Sequence, residues 1–280
     1  MSDLNSELTL DIPPKTMYKY TSFKNAFNIL TSNKIYFAKL SQFNDPFERL
    51  MTLDSYTPEG RRTLIENIEK YMIERWPDTD MVMTEEQKQE FVDNPSKVDM
   101  FNHAVIDTFF KKDSTGFCCL TDTYESLPMW AHYANNHTGC CLIFDFSKYP
   151  NQKTEEDRFP FHHMKKVEYR ENLPTYNMGR QWHDYFYKSN EWQYEHEWRA
   201  IMFNKDVSLK SLNSFLRQKS HGADLYSLGD FLCGIILGNK MMDVHKKSIK
   251  ITARQRRISV QQASHELYKY GIRLTDVDSK

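Results

Sequence analysis

The sequence predicts an α+β fold, built from two small mixed or antiparallel sheets with a helical insertion at about residues 59–112. Apolar stretches typical of strands do not alternate simply with helices, and the amphipathic helical patterns are concentrated in one segment. The 280 residues, 40% of them hydrophobic, can bury a large core. Because the nine glycines and ten prolines are scattered, we expect no flexible linker and a single domain over residues 1–280.

The N-terminal elements follow from short local patterns. Residues 17–20 and 35–38 predict strands, and a helix between them would begin after the N-cap candidates Thr21-Ser22 and end at Asn33. The insertion that follows is predicted to be helical. Its signals are a helical apolar spacing at Leu64, Ile68 and Met72, and sequences resembling capping boxes at Thr84-x-x-Gln87 and Ser96-x-x-Asp99.

The second half of the chain is richer in strands. Its apolar runs predict strands at 116–120, 140–146, 167–169, 233–237 and 267–274. Its helical patterns predict helices at 126–134, 182–188, 207–216 and 245–257.

Composition excludes several classes of protein. A formal net charge of −1 gives no overall attraction to nucleic acid or to an anionic membrane. The N-terminus lacks the pattern of a secretory signal, and no apolar run approaches the ~20 residues of a membrane span, so we expect a cytoplasmic protein without a membrane partner. The five cysteines include two adjacent pairs, whose side chains would point to opposite faces of a strand; we therefore expect reduced thiols and no metal site.

The most informative motif is Glu195-His196-Glu197, set among aromatic residues directly before an apolar stretch. On an extended strand, its two carboxylates would lie about 7 Å apart on one face, suited to binding hydroxyls or stabilising a developing cation. The alternative is an ordinary salt-bridged surface made of Glu195, Glu197 and Arg199.

Other candidate sites each have a simpler alternative. Asn44, Asp45 and Glu48 form a polar corner between phenylalanines, which is also ordinary turn chemistry. Trp130 and Tyr133 lie on a helical stripe that is more often part of a core. A basic run at residues 246–257 is either a solvated helix face or a surface for nucleic-acid phosphates. Walker A, GxGxxG and GxSxG motifs are absent.

Four motifs in order resemble a largely bacterial family known as domain of unknown function 2971, over about residues 18–238. These motifs are Tyr18-Lys-Tyr-Thr21, Phe43-Asn-Asp-Pro-Phe-Glu48, Met129-Trp-Ala-His-Tyr-Ala134 with His137-x-Gly139, and Lys188-x3-Trp192-x-Tyr-Glu-x-Glu-Trp-Arg199.

The order of elements also resembles the ADP-ribosyltransferase fold, whose signature, His-Tyr-Glu or Arg-Ser-Glu, is spread over three strands. The first strand here departs from that signature, since Lys19 stands between two tyrosines where the family has His or Arg. The resemblance implies an enzyme that uses NAD as a substrate and modifies a macromolecule, protein or nucleic acid, in the setting of a bacterial toxin or phage defence. It implies catalytic roles for three residues. Glu197 would bind the nicotinamide ribose and stabilise an oxocarbenium-like transition state. Glu195 would orient or deprotonate the acceptor, and Tyr133 would stack on nicotinamide. It implies cofactor contacts from Tyr18, Lys19, Tyr20, Trp130, Asn44, Asp45, Glu48 and Arg199.

A second hypothesis is a non-catalytic sensor module whose aromatic cleft holds a nucleotide or a peptide. Nucleotide-dependent hydrolysis or RNA cleavage is a third. Catalysis requires that Glu197, Tyr133 and the strand at residues 18–20 converge on one cleft, whereas a binding module does not require Glu197 there.

Overall fold

A computed structural model describes residues 11–47, 57–75, 82–94, 96, 116–147, 161, 164–173, 183–202 and 224–277. The predicted α+β class is confirmed. The strands of the described residues are β1 (Thr16–Thr21), β2 (Lys34–Tyr36), β3 (Gly116–Thr121), β4 (Cys140–Asp145), β5 (Met164–Lys166), β6 (Glu168–Arg170), β7 (Tyr187–Ser189), β8 (Glu197–Met202), β9 (Leu225–Ser227), β10 (Leu232–Leu237), β11 (Ser259–His265) and β12 (Ile272–Asp276). The α-helices are α1 (Phe23–Ser32), α2 (Pro58–Arg75), α3 (Glu85–Asp93), α4 (Leu127–His132) and α5 (Asp243–Gln255), and shorter 3-10 turns lie at Leu40–Gln42, His183–Phe186 and Asn190–Glu195.

One large mixed sheet dominates the fold, with the strand order β12-β11-β10-β4-β1-β3-β8-β5. The prediction of two small sheets was wrong because β1 is paired along both edges. It runs antiparallel to β4, with Thr21 opposite Cys140, and antiparallel to β3, with Tyr18 opposite Thr121. A central strand paired on both sides joins what the sequence suggested were separate sheets. Two-stranded sheets are formed by β2 with β9 and by β6 with β7.

The first helix confirms the capping prediction. The hydroxyl of Ser22 accepts a hydrogen bond from the Asn25 backbone N–H, which satisfies one of the donors left open at a helix start. At the other end Asn33 adopts φ 53°, and its N–H donates to the carbonyl of Ile29. A left-handed Asn is a common way to end a helix. In α3, Thr84 and Gln87 form the predicted capping box.

Alternate residues of the large sheet supply two separate cores. On the α1 face, residues such as Met17, Leu120 and Leu142 share one hydrophobic cluster with buried residues of α1 and α5. On the α4 face, Tyr20 and Cys141 share a second cluster with Met129, Trp130 and Ala134, in and just after α4. The adjacent cysteines accordingly point to opposite faces, and all five cysteines of the chain are free.

Two compact units divide the described residues. The larger contains the eight-stranded sheet with α1, α4 and α5; the smaller contains α2, α3, β6 and β7. Within the smaller unit, the Arg61 guanidinium donates to the carbonyl of Val92 at 2.6 Å, which ties α2 to α3. The helical-insertion prediction at 59–112 stays a prediction, and the helices expected after Ser96 and at 207–216 lie outside the described residues.

Two predicted elements were wrong. The helix expected at 182–188 is a 3-10 turn followed by β7. The final strand expected at 267–274 is instead a hairpin, because residues 267–270 form the bend between β11 and β12. The polar residues of Ser259–His265 hid β11, which carries only Val260 and Ala263 as buried apolar side chains. Within the described part of the chain, no helix is both long enough and apolar enough to cross a membrane.

Candidate functional site

A row of three side chains crosses β1, β3 and β8 of the large sheet on its α4 face. Tyr18 of β1 stands opposite Thr121 of β3, and Thr121 stands opposite Glu197 of β8. Directly opposed residues of antiparallel strands project to the same face with Cβ atoms about 4.5–5.5 Å apart. We call Tyr18, Thr121 and Glu197 the Glu197 row. One step further along the strands, Cys119 stands opposite Arg199 on the same face.

Glu197 is held by a two-point ion pair with Arg199. The Arg199 Nε and Nη2 atoms donate to Glu197 Oε1 and Oε2 at 2.8 and 3.0 Å. Glu197 is 3% exposed and Arg199 is 0% exposed. The pair is therefore a buried site, and the interpretation of these residues as a solvated surface was wrong. The two parallel hydrogen bonds fix the plane of the carboxylate as well as its position.

Glu195 reaches the site by a different route from the one predicted. It is the last residue of the 3-10 turn Asn190–Glu195, and His196 then adopts a left-handed φ of 46° before β8 begins. The Glu-x-Glu motif is therefore not extended, and the expected spacing of carboxylates along one strand does not apply. Glu195 is 3% exposed, and its Oε1 atom accepts a hydrogen bond from the Tyr133 hydroxyl at 2.6 Å. A contact this short is typical of an O–H donor bound to an ionised carboxylate.

The α4 segment carries Tyr133 to this carboxylate. The helix starts with Pro128 in its first turn, as predicted, and the Ser126 hydroxyl donates to the carbonyl of Tyr194 at 3.1 Å. That bond joins the beginning of α4 to the turn that ends in Glu195. Tyr133 follows the last helical residue and is half-buried.

Trp130 is a buried residue that holds neighbouring parts of the site in place. Its ring is completely buried, its indole N–H donates to the Tyr124 carbonyl at 2.8 Å, and it packs edge-on against Tyr20 with centroids 5.2 Å apart. A buried ring with its one donor engaged leaves no surface for a ligand. Trp130 thus positions the loop that contains Tyr124.

Tyrosines form the accessible part of this face. Tyr18 and Tyr124 are both half-buried, with ring centroids 5.4 Å apart at an interplanar angle of 62°. Burial raises the pKa of the Tyr18 hydroxyl and of the Tyr20 hydroxyl, so both are protonated donors at neutral pH. The Tyr20 hydroxyl donates to the carbonyl of Thr123 at 3.2 Å.

Lys19 lies on the opposite face of the sheet from its two tyrosine neighbours. Its register partner on β4 is Leu142, a residue of the α1-face core. Its ammonium group donates to the carbonyl of Cys119 at 2.8 Å. The structure therefore brings Tyr18, Tyr20, Tyr133, Glu195, Glu197 and Arg199 to one face, and it places Lys19 away from them.

Two groups near Glu197 were not predicted from the sequence. Thr121 lies directly beside Glu197, but only the pairing of β3 with β8 reveals this. The Cys119 thiol also lies beside the pair: burial raises its pKa well above the usual range, and the Glu197 carboxylate raises it further. Cys119 is therefore a protonated neighbour of Glu197 and not a thiolate nucleophile.

A second polar cluster lies where β3 ends and β8 begins. His196 Nδ1 is 3.1 Å from Asp122 Oδ1, and Lys166 Nζ is 3.4 Å from Asp122 Oδ2. His196 and Lys166 are exposed, in contrast to the Glu197–Arg199 pair.

The polar corner belongs to the smaller unit and forms a local turn. Asp45 is buried, and its Oδ1 atom accepts a hydrogen bond from the Phe47 backbone N–H at 2.8 Å. Asn44 is exposed, and Glu48 lies outside the described residues. A role for this corner in the same cleft stays a prediction.

Within the described segments, no three histidine, cysteine, aspartate or glutamate side chains are grouped so that they could hold a metal ion. The chemistry of the α4 face includes buried carboxylates, the Arg199 guanidinium, tyrosine hydroxyls and the ammonium group of Lys165, a buried residue of β5 that stands opposite Arg199.

Comparison with known proteins gives one result that bears on this site. Neither the curated proteins nor the solved structures contain a match to the chain. A family model, described as "Protein of unknown function (DUF2971)", matches residues 129–200. This segment begins within α4, includes Tyr133 and the Glu-x-Glu motif, and ends within β8. The match confirms, over residues 129–200, the resemblance to this family that the sequence motifs predict.

Proposed function

We propose that the protein is an ADP-ribosyltransferase-like enzyme that transfers ADP-ribose from NAD to a macromolecule, in a bacterial toxin or phage-defence setting. The observation that carries the proposal is the Glu197 row, which aligns Tyr18, Thr121 and Glu197 across three neighbouring strands. The signature of that fold is likewise spread over three strands, and Thr121 supplies a hydroxyl where the Arg-Ser-Glu form has serine.

The chemistry assigned to Glu197 is electrostatic. In the transfer, the bond between nicotinamide and the ribose anomeric carbon breaks, and nicotinamide leaves with the bonding electrons. A nucleophile of the acceptor then bonds to the same carbon and releases its proton. Positive charge develops on the ribose between these events, and a fixed carboxylate stabilises it without having to reorganise. Arg199 supplies the fixation, because its two hydrogen bonds hold both Glu197 oxygens.

The remaining groups on the face have roles that follow from their exposure. Tyr18 and Tyr124 offer partly accessible rings, and flat aromatic surfaces suit the stacking of a nicotinamide or adenine ring. The Tyr133 hydroxyl already donates to Glu195, so these two residues act as one unit that orients the acceptor. Under this proposal Trp130 positions the Tyr124 loop and does not contact NAD.

A specific observation favours the alternative function, a non-catalytic nucleotide- or peptide-binding sensor. Arg199 already balances the charge of Glu197, as in a structural ion pair. In that case the tyrosine pair Tyr18 and Tyr124 would bind a ligand, and Glu197 would only stabilise the strand that supports it.

Nicotinamide release from NAD tests the proposal. The protein is incubated with NAD labelled in the nicotinamide ring and with NAD labelled in the adenosine, each with cell extract. We expect free nicotinamide and adenosine label in a macromolecule. Because Glu197→Gln also weakens the buried pair with Arg199, turnover is compared per folded molecule, and the folded fraction is measured by circular dichroism. Turnover per folded molecule should fall by roughly 100- to 1000-fold.

The matched control is Glu86→Gln on the exposed surface of α3, which should retain full turnover. Calorimetry with NAD separates the two functions. Stoichiometric binding of NAD without nicotinamide release would support the sensor and contradict the enzyme. An absence of both binding and release would contradict any role for NAD.

A further inference from the structure

The turn between β11 and β12 presents two tyrosines that are fully exposed among the described residues. The hairpin closes with the Glu266 N–H donating to the Gly271 carbonyl at 3.0 Å. Between these residues Tyr268 is 103% exposed and Tyr270 is 100% exposed, so each ring is as accessible as in an extended chain. Large aromatic side chains usually bury 150–250 Å² each, so two fully exposed rings in one turn require an explanation other than folding.

The backbone of the turn supports a functional explanation. Tyr268 has a φ of 73°, in the left-handed region that bulky residues rarely adopt. Glycine or asparagine would adopt this conformation more easily. A bulky side chain kept at a strained position without a packing contact indicates a requirement for the ring itself.

Positive charge surrounds the tyrosines. Lys269 lies between them, and Arg273 is exposed two residues beyond the turn. Three residues before Tyr268, His265 Nε2 is 2.7 Å from Asn239 Nδ2, which brings the loop containing Lys240 beside the hairpin.

Further basic groups lie on that loop. The Lys240 N–H donates to the carbonyl of His137 at 3.0 Å. Burial lowers the pKa of His137, and Lys240 and His265 lower it further through their charges, which places the three groups together. One neighbouring acid is Glu266, whose carboxylate is 3.9 Å from the Lys269 ammonium. Its charge is thus partly balanced, and the surface remains basic although the whole chain has a net charge of −1.

We propose that Tyr268 and Tyr270, together with Lys240, Lys269 and Arg273, form a binding surface for single-stranded nucleic acid. We call these five residues the hairpin surface. Bases stack on the tyrosine rings, and the cations contact phosphates, as in sequence-tolerant sites that combine aromatic platforms with positive charge. A projecting hairpin with cations between its rings suits a flexible strand, whose unstacked bases and phosphates alternate along its length. The proposal concerns binding alone and is independent of the activity assigned to the Glu197 row.

Fluorescence anisotropy with labelled 12-nucleotide oligo-U and oligo-dT tests the surface directly. We expect binding that weakens linearly on a log–log plot as salt increases, with a slope of about −0.7 for each phosphate contact. The double variant Tyr268→Ala, Tyr270→Ala should lower affinity by roughly 5- to 150-fold per tyrosine. Lys269→Gln and Arg273→Gln should each reduce the salt slope by the contribution of about one phosphate.

The matched control uses another exposed tyrosine and lysine two residues apart, Tyr36 and Lys34 of β2. Tyr36→Ala and Lys34→Gln should bind the oligonucleotides as the unaltered protein does. Loss of affinity in these controls equal to that of the hairpin variants would overturn the proposal. It would also be overturned by an absence of oligonucleotide binding at low salt, or by binding of an oligo-glutamate peptide or of anionic lipid vesicles that equals or exceeds oligonucleotide binding.

Discussion

Glu197 and Arg199, two residues apart on β8, point to the same face of the sheet and bind each other through both carboxylate oxygens. Strand geometry makes the pair local, because side chains two positions apart project to one side. Because Arg199 has no solvent exposure, the pair should affect the stability of the protein. Removing one partner of a buried pair leaves a charge without compensation, whereas removing both leaves none.

Arg199→Met is expected to destabilise the protein by about 3–5 kcal/mol, because it removes the two charged hydrogen bonds that hold the buried Glu197 carboxylate. Methionine retains the unbranched shape of the side chain. Urea denaturation monitored by circular dichroism measures the change. A loss below about 1 kcal/mol would indicate that Glu197 is solvated in solution, contrary to its burial here.

The double variant Glu197→Gln, Arg199→Met separates a structural role from a catalytic one. Since neither charge remains, its free energy of unfolding should lie closer to that of the unaltered protein than that of Arg199→Met does. Nicotinamide release should nevertheless stay roughly 100- to 1000-fold down, because the charge that stabilises the cation is absent. Recovery of both stability and turnover in the double variant would show that the pair has only a structural role.

Local signals could be predicted from the sequence, whereas relations between distant segments could not. The caps of α1 at Ser22 and Asn33 depend on residues within one turn of the helix, and both were predicted. The alignment of Thr121 with Glu197 depends on the register of strands about 76 residues apart, which no local pattern encodes. The same reason explains the error in the sheet, since pairing on both edges of β1 is a tertiary property.

The basic run at residues 246–257 shows how one pattern can contain different functions. The Arg256 guanidinium donates to the carbonyls of Ile29 and Leu30 at 3.4 and 2.8 Å, and to the Asn33 side chain at 2.6 Å. It therefore caps the C-terminal end of α1, where helix carbonyls lack partners and positive charge is favourable. Neither interpretation offered for the run, a solvated face or a phosphate-binding surface, describes this residue.

Arg256→Ala should accordingly destabilise the protein by about 1.5–3 kcal/mol, the range for hydrogen bonds that involve a charged group. The control is Arg254→Ala, an exposed residue in the last turn of α5, which should change stability by no more than about 0.5 kcal/mol. Thermal or urea unfolding of both variants measures the difference. Equal effects for the two arginines would show that the cap contributes nothing in solution.

The pH dependence of stability should include a contribution from His137. Burial, and then the charges of Lys240 and His265, lower its pKa, so the folded protein binds this proton less readily than the unfolded chain does. The folded state is therefore penalised as the pH falls below about 6.5, where the unfolded histidine takes up a proton, and the penalty is complete below the lowered pKa of the folded state.

His137→Asn removes the titrating group while tolerating the left-handed φ of 67° at this position. The variant loses the parallel contact of the imidazole with Trp130, so it should be less stable at pH 7.5. The difference in free energy of unfolding from the unaltered protein should narrow as the pH is lowered from 7.5 to 5. A constant difference across this range would contradict the assignment.

Tyr268 should show opposite effects on stability and on binding. Its left-handed backbone costs about 1–2 kcal/mol for an ordinary residue, and its fully exposed ring contributes no packing that would offset the cost. Tyr268→Asn relieves most of that strain, because a short polar side chain can bond locally in this conformation. We expect the free energy of unfolding to rise by about 1 kcal/mol, and oligonucleotide affinity should fall by roughly 5- to 150-fold.

Tyr270→Asn is the control: it should weaken binding to a similar extent with no gain in stability, since Tyr270 lacks the positive φ. If Tyr268→Asn lowered the melting temperature, the ring would have a packing role, and strain could no longer be used as an argument for the hairpin surface.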